Sequence, residues 1–272
     1  MSAIRKEPYT KAELTDQLAA MAAPRDGVIL IHSALRLIGP MEEGARTLLD
    51  ALIEYVSADG GLICVPTHTW RNLKQEITLD LNDPHTCLGA FSDFAAADPR
   101  GVRSEHPTHS MAVFGNRERA EAFIGGEIDV RSATDPESCY GKLYREGGKI
   151  LLAGVSHNRN TYLHCVEEMI DTPNRLSAEP RTVRVKRRSG EIVERRIRTH
   201  HTDFTNDVSL RFPKYETAFR YHGAITDGFL GNAPTQLCDA RIMKDVMELI
   251  ATRAAGTDPL ATEKDIPPLW FC

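Results

Sequence analysis

Val28-Ile29-Leu30-Ile31, continuing into His32-Ser33-Ala34-Leu35-Arg36-Leu37-Ile38-Gly39, sets the fold class. The first four residues are wholly apolar and follow the turn Pro24-Arg25-Asp26-Gly27. Such a run fits a strand buried on both faces. Residues 43–56 then carry apolar side chains at helical spacing, and Gly60-Gly61 ends that helix. Leu62-Ile63-Cys64-Val65 repeats the buried-strand pattern. Strand, helix and strand in this order predict a parallel βαβ unit. Residues 149–154 supply a third buried strand, so the expected class is α/β with a central sheet and flanking helices.

Outward from that unit, Thr10 is a fitting N-cap for a helix over 11–22. Residues 71–88 read as irregular, and 89–97 as a short helix stopped by Asp98-Pro99. A strand is expected over 111–115 and a helix over 117–124, with a helical turn over 141–146. Asn160 or Thr161 opens a helix to residue 169. Residues 182–185 and 192–199 flank Ser189-Gly190, the signature of a solvated C-terminal β-hairpin. Helices are expected over 214–222 and 239–253, and the tail from Gly256 is expected to lie along the surface.

The chain has 272 residues, 42% apolar and 26% charged, which fits an ordinary globular protein. Its six cysteines form no C-x-x-C pair, which points to a reduced interior. No apolar run reaches the 18 or so residues of a membrane span, and Arg5 and Lys6 are not followed by a leader's apolar stretch. A cytoplasmic location is therefore expected. Residues 181–200 hold eight Arg/Lys and two Glu, a charge of +6, which leaves −11 for the rest of a chain whose net charge is −5. An acidic body would steer a cationic ligand.

Ligands of parallel α/β sheets collect at the carboxyl ends of the strands. There, His32-Ser33-Ala34-Leu35-Arg36 offers backbone N–H groups and a hydroxyl to a phosphate, without a nucleotide-binding glycine motif. Pro66-Thr67-His68-Thr69-Trp70 ends the neighbouring strand. The segment Arg103-Ser104-Glu105-His106-Pro107-Thr108-His109-Ser110 is dense in donors suited to phosphate or amide groups. Its His106 and His109 are three apart, but Pro107 disfavours a helical metal pair and no third ligand has motif spacing. On the helix after the third strand, His164 and Glu167 are i and i+3 and share a face. A carboxylate beside an imidazole fixes its tautomer and raises its basicity, which suits a general base.

Taken in order, these segments resemble the aminoglycoside 3-N-acetyltransferase family, distinct from the common GNAT acyltransferases. The resemblance is carried by Ile31-His32-Ser33-Ala34-Leu35 with Ile38-Gly39, by Gly60-Gly61 with Val65-Pro66-Thr67, and by Gly101-Val102-Arg103-Ser104-Glu105-His106-Pro107 with Ser110. Tyr140-Gly141-Lys142-Leu143, Ile150-Leu151-Leu152-Ala153-Gly154, and Asn160-Thr161 with His164 and Glu167 continue it, and Gly223-Ala224, Gly228 and Gly231-Asn232-Ala233 close it.

The resemblance implies a mixed central sheet, and one domain with a cofactor lobe over about 10–170 and an acceptor-binding hairpin and helices over about 171–255. It implies acetyl-CoA as co-substrate and no metal. His32, Ser33, Ala34, Leu35, Arg36, Ile38, Gly39, Arg103, Ser104, Pro107, Thr108 and Ser110 would hold acetyl-CoA. His164 would be the base, assisted by Glu167, and loop N–H groups or Thr67 would polarise the thioester. Glu168, Asp171, His68 and Trp70 would meet the acceptor, expected to be the 3-amino group of a cationic aminoglycoside antibiotic. The resemblance carries antibiotic resistance as the associated role. Neither nucleic acid nor membrane is an expected partner, and a homodimer is left open.

Ala34 stands where the family often has a second serine, Cys139 replaces a proline, and His200-His201-Thr202-Asp203 is less familiar at the acceptor side. The rival readings are an N-acetyltransferase for another amine, a metal-dependent hydrolase using the histidines, and a nucleic-acid binder using the basic hairpin. Against the last, the hairpin has no aromatic residue for base stacking.

Overall fold

The computed structural model describes residues 5–261 and 264–272. The first four residues of the N-terminal reading therefore lie outside the described residues. Seven strands form the central sheet in the order β4-β5-β2-β1-β6-β10-β9. They are β1 Val28–Ser33, β2 Leu62–Pro66, β4 Val102–Arg103, β5 Met111–Gly115, β6 Lys149–Ala153, β9 Ile225–Leu230 and β10 Ala233–Asp239. A second sheet has the order β3-β7-β8, from β3 Leu79–Asp80, β7 Arg181–Lys186 and β8 Ile192–Ile197. The α-helices are α1 Lys11–Ala20, α2 Leu35–Ile38, α3 Ala45–Ser57, α4 Ala90–Ala97, α5 Arg117–Ile124, α6 Cys139–Glu146, α7 Tyr162–Met169, α8 Glu216–Tyr221 and α9 Ala240–Arg253.

β1 runs parallel to both β2 and β6, as the βαβ reading requires. The remaining pairings, β2 with β5, β5 with β4, β6 with β10 and β10 with β9, are antiparallel, so the sheet is mixed. Period-two alternation sorts the apolar strands onto two faces. Val28, Leu30, Leu62, Cys64, Ile150 and Leu152 pack on one face with α6, α7 and α9. Ile29, Ile31, Ile63, Val65, Leu151 and Ala153 pack on the other with α1 and α3. Helix α1 opens on a capping box: the Thr10 hydroxyl accepts from Glu13 N at 3.2 Å, and Glu13 Oε2 accepts from Thr10 N at 2.9 Å.

The hairpin around Ser189-Gly190 forms, with Lys186 opposite Ile192. Three features depart from the sequence reading. Strands β9 and β10 were not expected, because Asp227, Gly228 and Pro234 interrupt their pattern. Gly228 leaves room for the Met21 side chain, since a Cβ would lie 2.5 Å from its sulfur unless that side chain moved. The expected 214–222 helix is shortened to α8, and a 3₁₀ stretch that contains Pro213, Val208–Tyr215, runs into its start. The tail does not simply skirt the surface, since Leu260, Ile266 and Phe271 are buried in the main core.

Candidate active site

β1, β2 and β6 deliver their carboxyl ends to one cleft of about 1010 Å³. His32 and Ser33 at the end of β1 with Ala34, Leu35 and Arg36 beyond it, Pro66 at the end of β2 with His68 beyond it, and Asn158 to Thr161 after β6 line it. The opposite wall comes from Trp70 to Leu73, from Arg181 and Thr199 to Thr202 beside the small sheet, and from Asp207 to Ser209. The first turn of the β1 loop thus faces the cleft as expected. Ile38 and Gly39 do not line it: Ile38 is fully buried and its carbonyl accepts from Asn232 N at 2.8 Å. Gly231, at φ +59°, permits this approach, because a Cβ there would lie 2.3 Å from the Ile38 oxygen.

His32 Nε2 and Ser33 Oγ are buried without a hydrogen-bond partner. Burial, and next the charge of Arg159, push the His32 pKa down to about 3, so its imidazole is neutral. Four arginines, Arg36, Arg71, Arg159 and Arg181, line the cleft against one carboxylate, Asp207. None of the four has a carboxylate within ion-pair distance among the described residues. The charge lining the cleft itself is positive, in contrast to the acidic body around it. Cations without a carboxylate partner beside free donors suit a polyphosphate.

The segment from Arg103 to Ser110 turns mostly inward. Arg103 Nε donates to Thr67 Oγ1 at 3.2 Å, Nη2 to Thr67 O at 3.1 Å and Nη1 to Asp83 O at 2.6 Å. Burial pushes its pKa down to about 10, which leaves it a cation at neutral pH. Ser110 Oγ donates to Thr67 O at 2.8 Å, and Ser104 Oγ lies 3.3 Å from Glu127 Oε2. Pro107 offers its carbonyl to Thr69 Oγ1 at 3.2 Å. Arg103, Ser104, Pro107, Ser110 and the fully buried Thr67 therefore do not line the cleft, and of this segment only Thr108 and His109 do. Antiparallel pairing of β4 with β5 folds the segment back on itself, which uses its donors internally.

His164 reaches the cleft wall from α7 with its side chain 12% exposed. Its Nδ1 lies 3.5 Å from Oε2 of Glu167, a carboxylate only 2% exposed. That separation is long for a hydrogen bond, and Oε2 has no other partner. The His164 ring packs against His200 at 4.3 Å and Phe212 at 4.7 Å between centroids. Glu168 points elsewhere: its carboxylate accepts from Ser132 Oγ, from Thr134 N at 2.9 Å and from Thr134 Oγ1 at 2.6 Å. Asp171 is exposed in a left-handed turn at φ +51°. Neither lines the cleft, whereas His68 and Trp70 do.

A family profile described as aminoglycoside 3-N-acetyltransferase matches residues 30–251. The chain belongs to the aminoglycoside 3-N-acetyltransferase family. Its sequence is 33% identical to aminoglycoside N(3)-acetyltransferase IV of Salmonella over 61% of each chain. The chain thus spans about 61% of that relative's length, and 63% of an aminoglycoside N(3)-acetyltransferase III from Salmonella. Among solved structures, a mutant of aminoglycoside acetyltransferase AAC(3)-IVa in complex with a gentamicin superposes with a TM-score of 0.76 at 25% identity, covering 97% of both chains. AAC-IIIb, solved as a binary complex with CoASH, shares the fold at 22% identity and TM-score 0.76, over 93% of this chain and 99% of that one.

Within this family fold, the sequence reading missed the residues behind Glu167. Arg175 Nε donates to Glu167 Oε1, and Arg175 Nη2 donates to both oxygens of Asp258 at 3.0 and 2.9 Å. Neither residue has a local motif, since Asp258 comes from the C-terminal tail. Burial works against the Arg175 charge, but Glu167 and Asp258 outweigh it and raise its pKa above the ordinary value.

The histidines form a packed file rather than a metal set. Centroid distances are 4.6 Å for His68–His109, 5.9 Å for His106–His109 and 4.9 Å for His109–His200. His68 Nε2 also lies 2.6 Å from the Tyr140 hydroxyl. Burial pushes His106 down to about 4 and holds His68, His109 and His200 well below the ordinary histidine value. Among the described residues, no group of three or more His, Cys, Asp or Glu is placed to hold a metal ion. Cys139 is fully buried and burial raises its thiol far above the usual range, as for a packed cysteine. No helix among the described residues is long and apolar enough to cross a membrane.

Proposed function

We propose that this protein transfers the acetyl group of acetyl-CoA to a primary amine, taken here as the 3-amino group of an aminoglycoside. The observation that carries the reading is the His164–Glu167 pair at the wall of a cleft rich in unpaired arginines. His164 takes a proton from the amine as its nitrogen attacks the thioester carbonyl. The tetrahedral intermediate collapses, the C–S bond breaks, and CoA leaves as a thiol after taking up a proton. No acyl-enzyme is formed. Glu167 orients the imidazole and stabilises its protonated form. Thr67 is withdrawn as the polarising group, because its hydroxyl is engaged with Ser110 and Arg103. Ser33 Oγ, without a partner at the cleft, is the free hydroxyl there for the donor. Arg36 and Arg159, flanking the β1 loop, are the cations for its phosphates.

The cleft charge favours a second reading of the acceptor. One carboxylate against four arginines holds a polycation poorly, so an amine carrying an anionic group is the rival substrate. Release of free thiol from acetyl-CoA, measured with a panel of aminoglycosides and of amines bearing phosphate or carboxylate, tests both. Acceptor-dependent release with gentamicin or apramycin supports the first reading. Release only with anionic amines supports the second, and no release without acetyl-CoA binding overturns the enzyme class.

A further inference from the structure

We infer that Asp258 and Arg175 are positioning residues that set the charge felt by His164, an inference that rests on the base reading above. Glu167 is only 2% exposed and Arg175 only 5%, so their interaction is weakly screened. Taken alone, Arg175 beside Glu167 is a neutral pair, and a neutral pair stabilises an imidazolium poorly. Asp258 changes that sum. Its two oxygens engage Arg175 Nη2, and the chain Glu167–Arg175–Asp258 carries a net charge of one negative unit behind His164.

The geometry is built rather than incidental. Asp258 Oδ1 also accepts from Leu260 N at 2.9 Å, and Leu260 is fully buried. Arg211 Nη1 donates to Leu260 O at 2.8 Å, and both Arg211 and Arg175 lie over the Phe204 ring. The tail is thus anchored independently of Arg175. Asp258 lies beyond the family match, which ends at residue 251. The other ionisable groups facing His164 and its partners are His200 and, behind it, His109 and His68, all held neutral by burial, and Tyr215, whose phenol is raised by burial and by Glu167. Within this set, Glu167, Arg175 and Asp258 are the members joined to one another by side-chain hydrogen bonds.

The test is Asp258→Asn, which removes the charge and keeps an acceptor for Leu260 N. Turnover on the plateau should fall about threefold, and the acidic limb of kcat/KM against pH should move to lower pH by about half a unit or more. Asp258→Glu, which restores a carboxylate, should return the limb toward its wild-type position. A limb left in place by Asp258→Asn, or moved as far by Asp258→Glu, overturns the inference. If Asp258→Asn does not fold, Asp258→Ser removes the same charge and is read in the same way. A wild-type protein that transfers no acetyl group fails the base reading instead, so the two failures are distinguishable.

Discussion

Two polar interiors flank the cleft, built from similar residue types to different ends. In one, Arg103, Thr67, Ser104 and Ser110 bond to each other, to Glu127 and to backbone carbonyls, and the lattice closes on itself. In the other, Asp258, Arg175 and Glu167 form a charged chain that ends at His164 on the cleft wall. Its last link is left slack, with Glu167 Oε2 lacking a hydrogen bond. A buried polar atom without a partner costs about 1–3 kcal/mol, which sharpens the contrast with the closed lattice. The difference teaches that an acceptor left without a donor next to a cleft-lining imidazole marks the working end, and that residue type alone does not.

The largest effect expected separates the interiors by pH. His32, His106 and His157 are depressed by burial to about 3, 4 and 4, and His68, His109 and His200 lie well below the ordinary value. A histidine depressed in the fold gives stability that is present above its unfolded pKa of roughly 6.5 and is lost as pH falls toward the folded value. Glu127, raised to about 7 by burial, has the opposite sign, because the fold holds its proton more tightly as pH falls from 7 toward the usual carboxylate range. Burial raises the Glu168 carboxyl too, so six groups oppose two, and stability should drop by several kcal/mol, on the order of 5, between pH 6.5 and pH 5. Calorimetry that finds Tm flat or rising toward pH 5 would show that the file of histidines is not held neutral.

Next in size is His164→Ala. Turnover should fall by roughly 10² to 10⁴, with acetyl-CoA affinity within about twofold of wild type. A parallel loss of affinity would place His164 in the donor site. Smallest is Arg103→Met, which orphans Asp83 O and removes one of the two donors to Thr67 O. It should lower stability by about 2–4 kcal/mol, read as a lower Tm, with acetyl-CoA affinity nearly unchanged. Weaker acetyl-CoA binding at an unchanged Tm would reverse the assignment of the two interiors.

The apolar runs at Val28, Leu62 and Ile150 made the parallel centre of the sheet legible, because burial on both faces leaves a continuous hydrophobic signal. The hairpin of β9 and β10 was hidden by Asp227 and Gly228, which sit on the edge strand β9, and by Pro234, which breaks the strand pattern at the start of the interior strand β10. His164 and Glu167 were legible from helical spacing alone. Arg175 and Asp258 were not, since their meeting depends on the tail returning across more than eighty residues to the core. The inward turn of Arg103 was hidden for the same kind of reason: the sequence shows a run of donors, and only the pairing of β4 with β5 shows where they go.

Strand order also has a consequence for how the chain is made. β6 ends at Ala153, and its partner on one side, β10, begins only at Ala233. A ribosome adding roughly 5–20 residues per second would expose that strand edge for about 4–16 seconds before β10 emerges. During that interval a strongly apolar strand has an open ladder, the kind of edge that invites wrong partners. The pace of synthesis between the two strands, and chaperone supply, would then bear on the soluble yield of this protein apart from the stability of its finished fold.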